Sequence, residues 1–219
     1  MDFSRYPNIN AAAETLGGIK KTVFNKKALA EAEANWDRLS AEDIMHIEQQ
    51  IPHATKILSS YVMPYAICIY QAHTFTVIPV RDILWFYVRV VKQSVNFIPT
   101  TKEHYIEMLA RDGKTYTLGQ VSTGGFSKKE PGAEALETIR QILLPYRGGI
   151  VYGYSDEING FFRQNFAQAV QMVDQKSVEQ AQLQRQAQQS QMQQPQLQQP
   201  QMQQPQMQQM QYQQPPYQQ

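Results

Sequence analysis

The chain has 219 residues, and its 20 Lys and Arg nearly balance its 19 Asp and Glu, so the formal net charge is only +1. This balance leaves no global field that would steer the protein to nucleic acid or anionic lipid. The single cysteine, Cys68, excludes an intramolecular disulfide and lies in an apolar run, where a small buried hydrophobe is expected rather than a nucleophile. No secretory signal is visible and no apolar run approaches the roughly 20 residues of a membrane span, so we expect a cytoplasmic protein.

The beginning of the chain predicts an N-terminal helical segment over residues 1–39, which Gly17-Gly18 weakens and which is strongest at Lys26–Asp37, where Ala, Glu, Lys and Leu dominate. Ser40 then precedes two carboxylates, which is typical of an N-cap followed by an acidic first turn. We therefore predict a second helix over Ala41–Gln50, which Pro52 ends.

Short segments rich in β-branched and aromatic residues follow, separated by turns or by a proline, and they predict strands. These strands are expected at residues 57–63, 65–71, 74–80 and 82–91. Trp85, Phe86 and Tyr87 in the last strand form a possible stacking platform for nucleic-acid bases. Because a nucleic-acid site normally adds a basic groove, and only Arg81, Arg89 and Lys92 lie nearby, core packing is favoured.

The dipeptide Asp112-Gly113 predicts a hairpin over residues 105–118, because it suits a two-residue type I′ turn. Such a turn would pair Leu109 with Tyr116. Strand alternation then divides the hairpin between two faces. The expected faces are Tyr105, Leu109, Tyr116 and Leu118 on one side and Ile106, Met108 and Ala110 on the other.

Two amphipathic helices are predicted after the hairpin. Residues 133–144 place Leu136, Ile139 and Leu143 on one stripe, so this helix should dock on the sheet. Ser155 is a suitable N-cap for a second helix, whose apolar residues recur at helical spacing to Val173. With about six strands, these elements predict an α+β fold, a bent antiparallel sheet or partly open barrel capped by a C-terminal helix.

The end of the chain is rich in Gln, Pro and Met and repeats a five-residue unit, first seen at residues 191–195. This period matches neither the roughly 3.6 residues of a helix turn nor the roughly 2 of a strand, and each proline removes a helix hydrogen bond. We therefore divide the chain into a helical segment at 1–39, a domain with flanking helices at 40–174, and a disordered tail at 175–219. The second helix is free to continue past Val173, but from about Gln191 we expect disorder.

No catalytic, cofactor or metal motif stands out. His46, His53, His73 and His104 lack the spacing of a metal site, which needs several convergent ligands. The glycine-containing loop at residues 123–129 lacks the spacing of a phosphate-binding P-loop. No nucleophile elbow or related catalytic signature is present. We therefore expect no enzyme, no cofactor and no metal.

Four segments together resemble uncharacterised bacterial proteins with a pleckstrin-homology-like (PH-like) domain. They read IPVRDILWFY, RDGKTYTL, ALETIRQILLP and YGYSDEIN, and the resemblance covers about residues 56–173. It implies a bent antiparallel sheet, nearly a barrel, with the helix at residue 133 plugging one end. It does not imply phosphoinositide binding, because the strand connection at Met63-Pro64 carries no basic residues.

The leading functional hypothesis is a non-enzymatic interaction or scaffold protein with an unknown protein partner and no nucleic acid. The alternative is a peripheral module that binds anionic lipid weakly, since each basic residue near such a surface contributes about 1 kcal/mol. For the Lys20-Lys21 and Lys26-Lys27 pairs, a solvated helix face is the simpler explanation. The candidate contacts are Lys20, Lys21, Lys26, Lys27, Lys128 and Lys129.

Overall fold

A computed structural model describes residues 2–193 of the chain. The chain divides into two compact units, Met1–Leu183 and Gln184–Gln219. The first contains every sheet and most of the helices, and the described part of the second is the end of the last helix. The Gln-Pro repeat that sequence analysis assigns to a disordered tail lies outside the described residues from position 194 onward.

Six α-helices, two short 3-10 helices at Ile51–His53 and Val80–Asp82, and eight strands make up the regular structure of the described residues. The helices are α1 Pro7–Thr15, α2 Lys26–Asp37, α3 Ala41–Gln50, α4 Pro131–Leu143, α5 Asp156–Gln164 and α6 Phe166–Gln193. The strands are β1 Thr55–Ile57, β2 Ser60–Val62, β3 Ala66–Gln71, β4 Thr74–Pro79, β5 Ile83–Val95, β6 Ile98–Ala110, β7 Thr115–Gly124 and β8 Val151–Tyr152. None of these helices is long and apolar enough to cross a membrane.

The strands form two four-stranded sheets that are not closed into a barrel. The first has the order β1-β2-β3-β4, and the second has the order β7-β6-β5-β8. All pairings are antiparallel except β5 with β8, where Trp85 lies opposite Val151 in a parallel arrangement. The mixed α+β class is therefore confirmed, whereas the expectation of one continuous antiparallel sheet is wrong. The chain leaves the first sheet through a short 3-10 turn at Val80–Asp82 and starts the second at Ile83.

Helix α4 caps the main apolar core, as its spacing predicts. Ile139 and Leu143 are fully buried in one cluster with Ile67 of the first sheet and with Phe86 and Ile106 of the second. Leu136 is only partly buried at the edge of that cluster. The docking of this helix on the sheets is confirmed.

Two further clusters hold the other helices. The N-terminal segment packs Phe3, Ile9 and Trp36 against Phe75 and Val77 of the first sheet, and the Trp36 indole N–H donates to the Phe75 carbonyl at 2.7 Å. On the outer face of the second sheet, α5 and α6 cover the other side of β5. The buried residues of that cluster are Leu84, Trp85, Phe162, Ala169 and Val173. The predicted core role of Trp85 and Phe86 is confirmed.

Both predicted N-caps are present. Ser40 accepts the Asp43 N–H at 3.1 Å, and Asp43 accepts the Ser40 N–H at 3.0 Å, which completes a capping box. Ser155 accepts the Ile158 N–H at 3.1 Å. The helix that Ser155 begins does not continue directly, because the chain leaves helical geometry at Asn165 before α6 starts.

The hairpin around Asp112-Gly113 has a different register from the predicted one. Gly113 has the expected positive φ, +77°, but the Ala110 N–H donates to the Lys114 carbonyl at 3.0 Å and closes a three-residue loop. This is a type I turn followed by a left-handed glycine. Tyr116 therefore lies opposite Met108 rather than Leu109. The predicted grouping of Tyr105 and Leu109 with Tyr116 and Leu118 is wrong, because the latter two join the face of Ile106, Met108 and Ala110.

Candidate functional site

The longest hairpin of the fold is the pair β5 and β6, thirteen residues each. Its strands are joined at Asn96 and Phe97, which have φ values of +48° and +64°. Two successive positive φ values define a type I′ turn, where the second position is normally glycine. A bulky L-residue in this left-handed conformation costs about 1 to 2 kcal/mol. The second turn position is nevertheless a phenylalanine, Phe97, and its side chain is 100% exposed.

Phe97 belongs to an exposed apolar patch at the end of this hairpin, which we call the apolar tip. Its members are Val95, Phe97, Ile98 and Phe126. Phe126 reaches the hairpin because the neighbouring Gly125 donates its N–H to the Thr100 carbonyl at 2.9 Å. A Cβ at Gly125 would lie 2.4 Å from the Pro99 carbonyl carbon, so glycine is required for this close approach. The chain thus exposes one phenylalanine in the hairpin turn and another in the β7–α4 loop that is bonded to the same hairpin.

Beside the apolar tip lies a cleft of about 580 Å³, which we call the basic cleft. Alternate residues of β5 and β6 form one wall, the β7–α4 loop forms the other, and the start of α4 closes the end. The lining residues are Val88, Val90, Lys92, Lys102, His104, Phe126, Ser127, Lys128, Lys129, Glu130 and Ala133. Among these, Glu130 is the single carboxylate.

Lys92 and Lys102 lie directly opposite each other on β5 and β6. Like charges in this position repel and destabilise a hairpin, so the pair is unfavourable unless an anion sits near it. The Lys102 ammonium also donates to the Ser127 carbonyl at 2.8 Å, which holds the β7–α4 loop against the hairpin. Lys128 and Lys129 follow in that loop and are exposed. The result is a local concentration of positive charge in a protein that is almost neutral overall.

The opposite face of the same hairpin is neutralised. There the Arg89 guanidinium lies 2.7 Å from the Glu107 carboxylate and 4.3 Å from the centre of the Tyr105 ring. Tyr105 in turn donates its hydroxyl hydrogen to Glu103. Positive and negative groups are thus paired on one face of the hairpin, whereas cations predominate on the face that opens into the basic cleft.

The floor of the basic cleft is closely packed. His104 is buried, and its Nε2 lies 3.4 Å from the Thr123 hydroxyl. Gly132 brings the first turn of α4 against Val88 and His104, since a Cβ there would lie 2.7 Å from a Val88 methyl group. The amino end of a helix is its positive end, so α4 adds to the positive potential of the cleft.

The six lysines proposed from sequence fall into two groups. Lys128 and Lys129 line the basic cleft, whereas Lys20, Lys21, Lys26 and Lys27 occupy the α1–α2 loop and the start of α2. The strand predicted from sequence ends at Val91, so Lys92 lies just beyond it and neither Lys92 nor Lys102 belongs to a predicted site. The missed signal is Asn96, a turn former midway between two runs of strand-forming residues.

Other polar clusters connect elements of the fold. Arg81 donates to both carboxylate oxygens of Asp43, at 3.0 and 3.1 Å, and Tyr65 donates its hydroxyl hydrogen to the same carboxylate. Asp174 of α6 similarly accepts from Arg111 at 2.7 Å and from Arg147 at 2.8 Å. These contacts join α3 and α6 to neighbouring loops, which is a structural role.

Within the described residues, neither the cysteine nor the metal-ligating side chains form a site. Cys68 is fully buried, and burial raises the pKa of its thiol, so the thiolate nucleophile does not form near neutral pH. Within residues 2–193, His, Cys, Asp and Glu side chains form no cluster that would hold a metal ion. Comparisons with known protein families, with curated proteins and with solved structures find no match to this chain.

Proposed function

We propose that this protein is a non-enzymatic interaction module that docks on anionic membrane surfaces through the apolar tip and the basic cleft. One observation carries the proposal: a fully exposed Phe97 occupies a turn where folding favours glycine, and the strands of the same hairpin carry the opposed lysines Lys92 and Lys102. A bilayer interface offers acyl chains directly beneath anionic headgroups. The apolar tip and the basic cleft match these two layers in the same order.

The proposed fold for this module is PH-like. Support comes from the succession of antiparallel strands followed by α4, whose Ile139 and Leu143 pack between residues of both sheets. The basic cleft does not involve the connection at Met63-Pro64, so the site is argued from its own residues.

The expected strength of membrane binding is moderate. Three exposed lysines, Lys92, Lys128 and Lys129, contribute about 1 kcal/mol each near an anionic surface. Burying a phenylalanine side chain such as that of Phe97 adds about 1.5 to 3 kcal/mol. The sum of about 5 kcal/mol corresponds to a reversible attachment, comparable with that of a single acyl chain.

Vesicle co-sedimentation tests the proposal. At about 0.15 M salt, where exposed charges are screened beyond about 8 Å, the protein should sediment with vesicles that contain phosphatidylserine and not with pure phosphatidylcholine. The double variant Lys128→Gln/Lys129→Gln should bind about thirtyfold more weakly, since two lysines contribute about 2 kcal/mol. Lys176→Gln, an exposed lysine of α6, is the matched control and should bind like the wild type.

Two results would contradict this function. Equal binding to neutral and anionic vesicles would show that the basic cleft does not contribute to membrane binding. If the protein bound neither kind of vesicle, the proposal of membrane docking would be wrong. A protein partner would then be the remaining ligand for the apolar tip.

A further inference from the structure

We infer that the loop between α1 and α2 is a second lipid-contacting element, which inserts Val23 and Phe24 into an anionic bilayer interface. The inference rests on the proposed function, because it adds a second point of attachment to the same class of membrane. The loop is separate in sequence from the hairpin and shares none of the residues of the basic cleft.

The first observation is the exposure of two adjacent apolar side chains between lysines. Phe24 is 99% exposed and Val23 is 77% exposed. Lys20 and Lys21 precede them, and Lys26 and Lys27 follow them. From Thr15 to Ala30 the sequence contains no Asp or Glu, and the next carboxylate, Glu31, lies 3.5 Å from the Lys114 ammonium.

The second observation is that the loop is held in place by a buried side chain. Asn25 is only 4% exposed, and its Oδ1 accepts the Thr22 N–H at 2.8 Å. Its Nδ2 donates to the Lys20 carbonyl at 2.7 Å and to the Ala72 carbonyl at 2.9 Å. These bonds close the loop and fasten it to the β3–β4 turn. The exposure of Val23 and Phe24 is therefore built into the fold, and little ordering entropy remains to be lost on binding.

The chemistry of the loop favours a lipid surface as its occupant. Lysine side chains extend their ammonium groups to headgroup phosphates while their stems lie along apolar surface. Lysines on both sides of an apolar pair let all four cations reach headgroups while Phe24 enters the acyl boundary. The apolar tip and the basic cleft together supply the same two kinds of side chain, so the hairpin and the α1–α2 loop both match a surface in which anionic headgroups cover an apolar layer.

Site-specific fluorescence on the full-length protein tests the inference. Val23→Cys and Val95→Cys are each labelled with a fluorophore whose emission increases in apolar surroundings. Cys68 is fully buried with a raised thiol pKa, so labelling is selective for the introduced cysteine. Both labels should become brighter and shift to shorter wavelength with phosphatidylserine vesicles. A label at Gln171→Cys, on an exposed position of α6, should not respond.

The outcomes separate this inference from the proposed function. A response at position 95 without one at position 23 would overturn the second element and leave the function intact. A response at position 23 alone would support the loop and contradict the role of the hairpin. If neither label responded to the vesicles, both the second lipid-contacting element and the proposed function would be wrong.

A substitution gives an independent readout of the same loop. Phe24→Ser changes an exposed side chain, so folding should be unaffected, and binding to phosphatidylserine vesicles should weaken about tenfold. Val178→Ser, which changes an exposed apolar residue of α6, should bind like the wild type. Unchanged binding of Phe24→Ser would contradict insertion of this side chain.

Discussion

Phe97 occupies the second position of a type I′ turn at a φ of +64°, where glycine is the residue that folding alone would select. Its side chain contributes nothing to the core because it is entirely exposed. A residue that is unfavourable for both conformation and solvation is a sign of function when the surrounding structure retains it.

Phe97→Gly should therefore stabilise the fold while weakening membrane binding. We expect the free energy of unfolding to rise by up to about 1 kcal/mol, because glycine relieves the left-handed strain. Vesicle binding should fall about tenfold or more with the loss of the apolar side chain. Asn96→Gly is the matched control, since it relieves the neighbouring positive φ and keeps Phe97. Vesicle binding by Phe97→Gly at the level of the wild type would show that this side chain does not meet the lipid.

Asp43 illustrates a second single-residue effect, on stability. The hydrogen bonds from Arg81 and Tyr65 hold the pKa of its carboxyl well below the ordinary value of 3.8. A carboxyl with a depressed pKa in the folded state adds stability above its ordinary pKa, and this stability is lost as the pH falls towards the folded-state pKa.

Asp43→Asn should thus lower stability by about 2 kcal/mol near neutral pH, where the charge-assisted bonds to Arg81 are complete. Urea unfolding of both proteins at about pH 7 and about pH 3 measures the difference. The difference in stability between the two proteins should narrow at the lower pH, because Asp43 of the unfolded wild type, with its ordinary pKa of 3.8, then takes up a proton that the folded carboxylate does not. A gap of constant size would mean that the charge of Asp43 does not stabilise the fold.

Among the elements, the two long hairpins show how far turn chemistry predicts structure. Asp112-Gly113 located one turn and its positive φ, but both a type I′ turn and a type I turn with a bulge place glycine in that conformation. The loop length, and with it the register, was therefore not determined by the dipeptide. The turn at Asn96-Phe97 was missed, because phenylalanine is not a turn residue and Lys92, Gln93 and Ser94 interrupt the apolar pattern of β5.

Gly113→Val tests the corrected turn. A Cβ at Gly113 would meet no atom within 4 Å, so the cost of the substitution is the positive φ itself. We expect a loss of more than about 1 kcal/mol in the free energy of unfolding. Gly124→Val is the control, because that site is equally open and has no positive φ. Equal stability of the two variants would mean that Gly113 does not require its left-handed conformation.

Ile139→Ala tests the docking of α4, the element whose apolar spacing sequence analysis identified correctly. Ile139 is fully buried among residues of both sheets, so its truncation should cost about 2 to 5 kcal/mol. Thr138→Ala, at an exposed position of the same helix, should change stability by no more than about 0.5 kcal/mol. An unchanged denaturation midpoint for Ile139→Ala would contradict the packing of this helix.

At the scale of the whole molecule, the overall composition does not predict the candidate site. A formal net charge of +1 argues against electrostatic targeting, yet cations and anions are segregated locally. Lys92, Lys102, Lys128 and Lys129 come from three segments that only the tertiary fold brings to one cleft. The pairing of β5 with β8 also joins residues that are far apart in sequence, so local sequence patterns do not predict it. The α+β class and the helix docking followed from local pattern, whereas the two-sheet arrangement and the site did not.

We expect the β5–β6 hairpin to meet the membrane through its apolar tip. Methyl NMR of the full-length protein on nanodiscs of phosphatidylcholine and phosphatidylserine, doped with a paramagnetic lipid, tests it directly. The methyl signals of Val95 and Ile98 should broaden strongly, while those of Val178, which is also exposed, should remain sharp. Broadening of Val178 equal to that of Val95, or sharp signals at Val95 and Ile98 with the protein bound, would contradict the account.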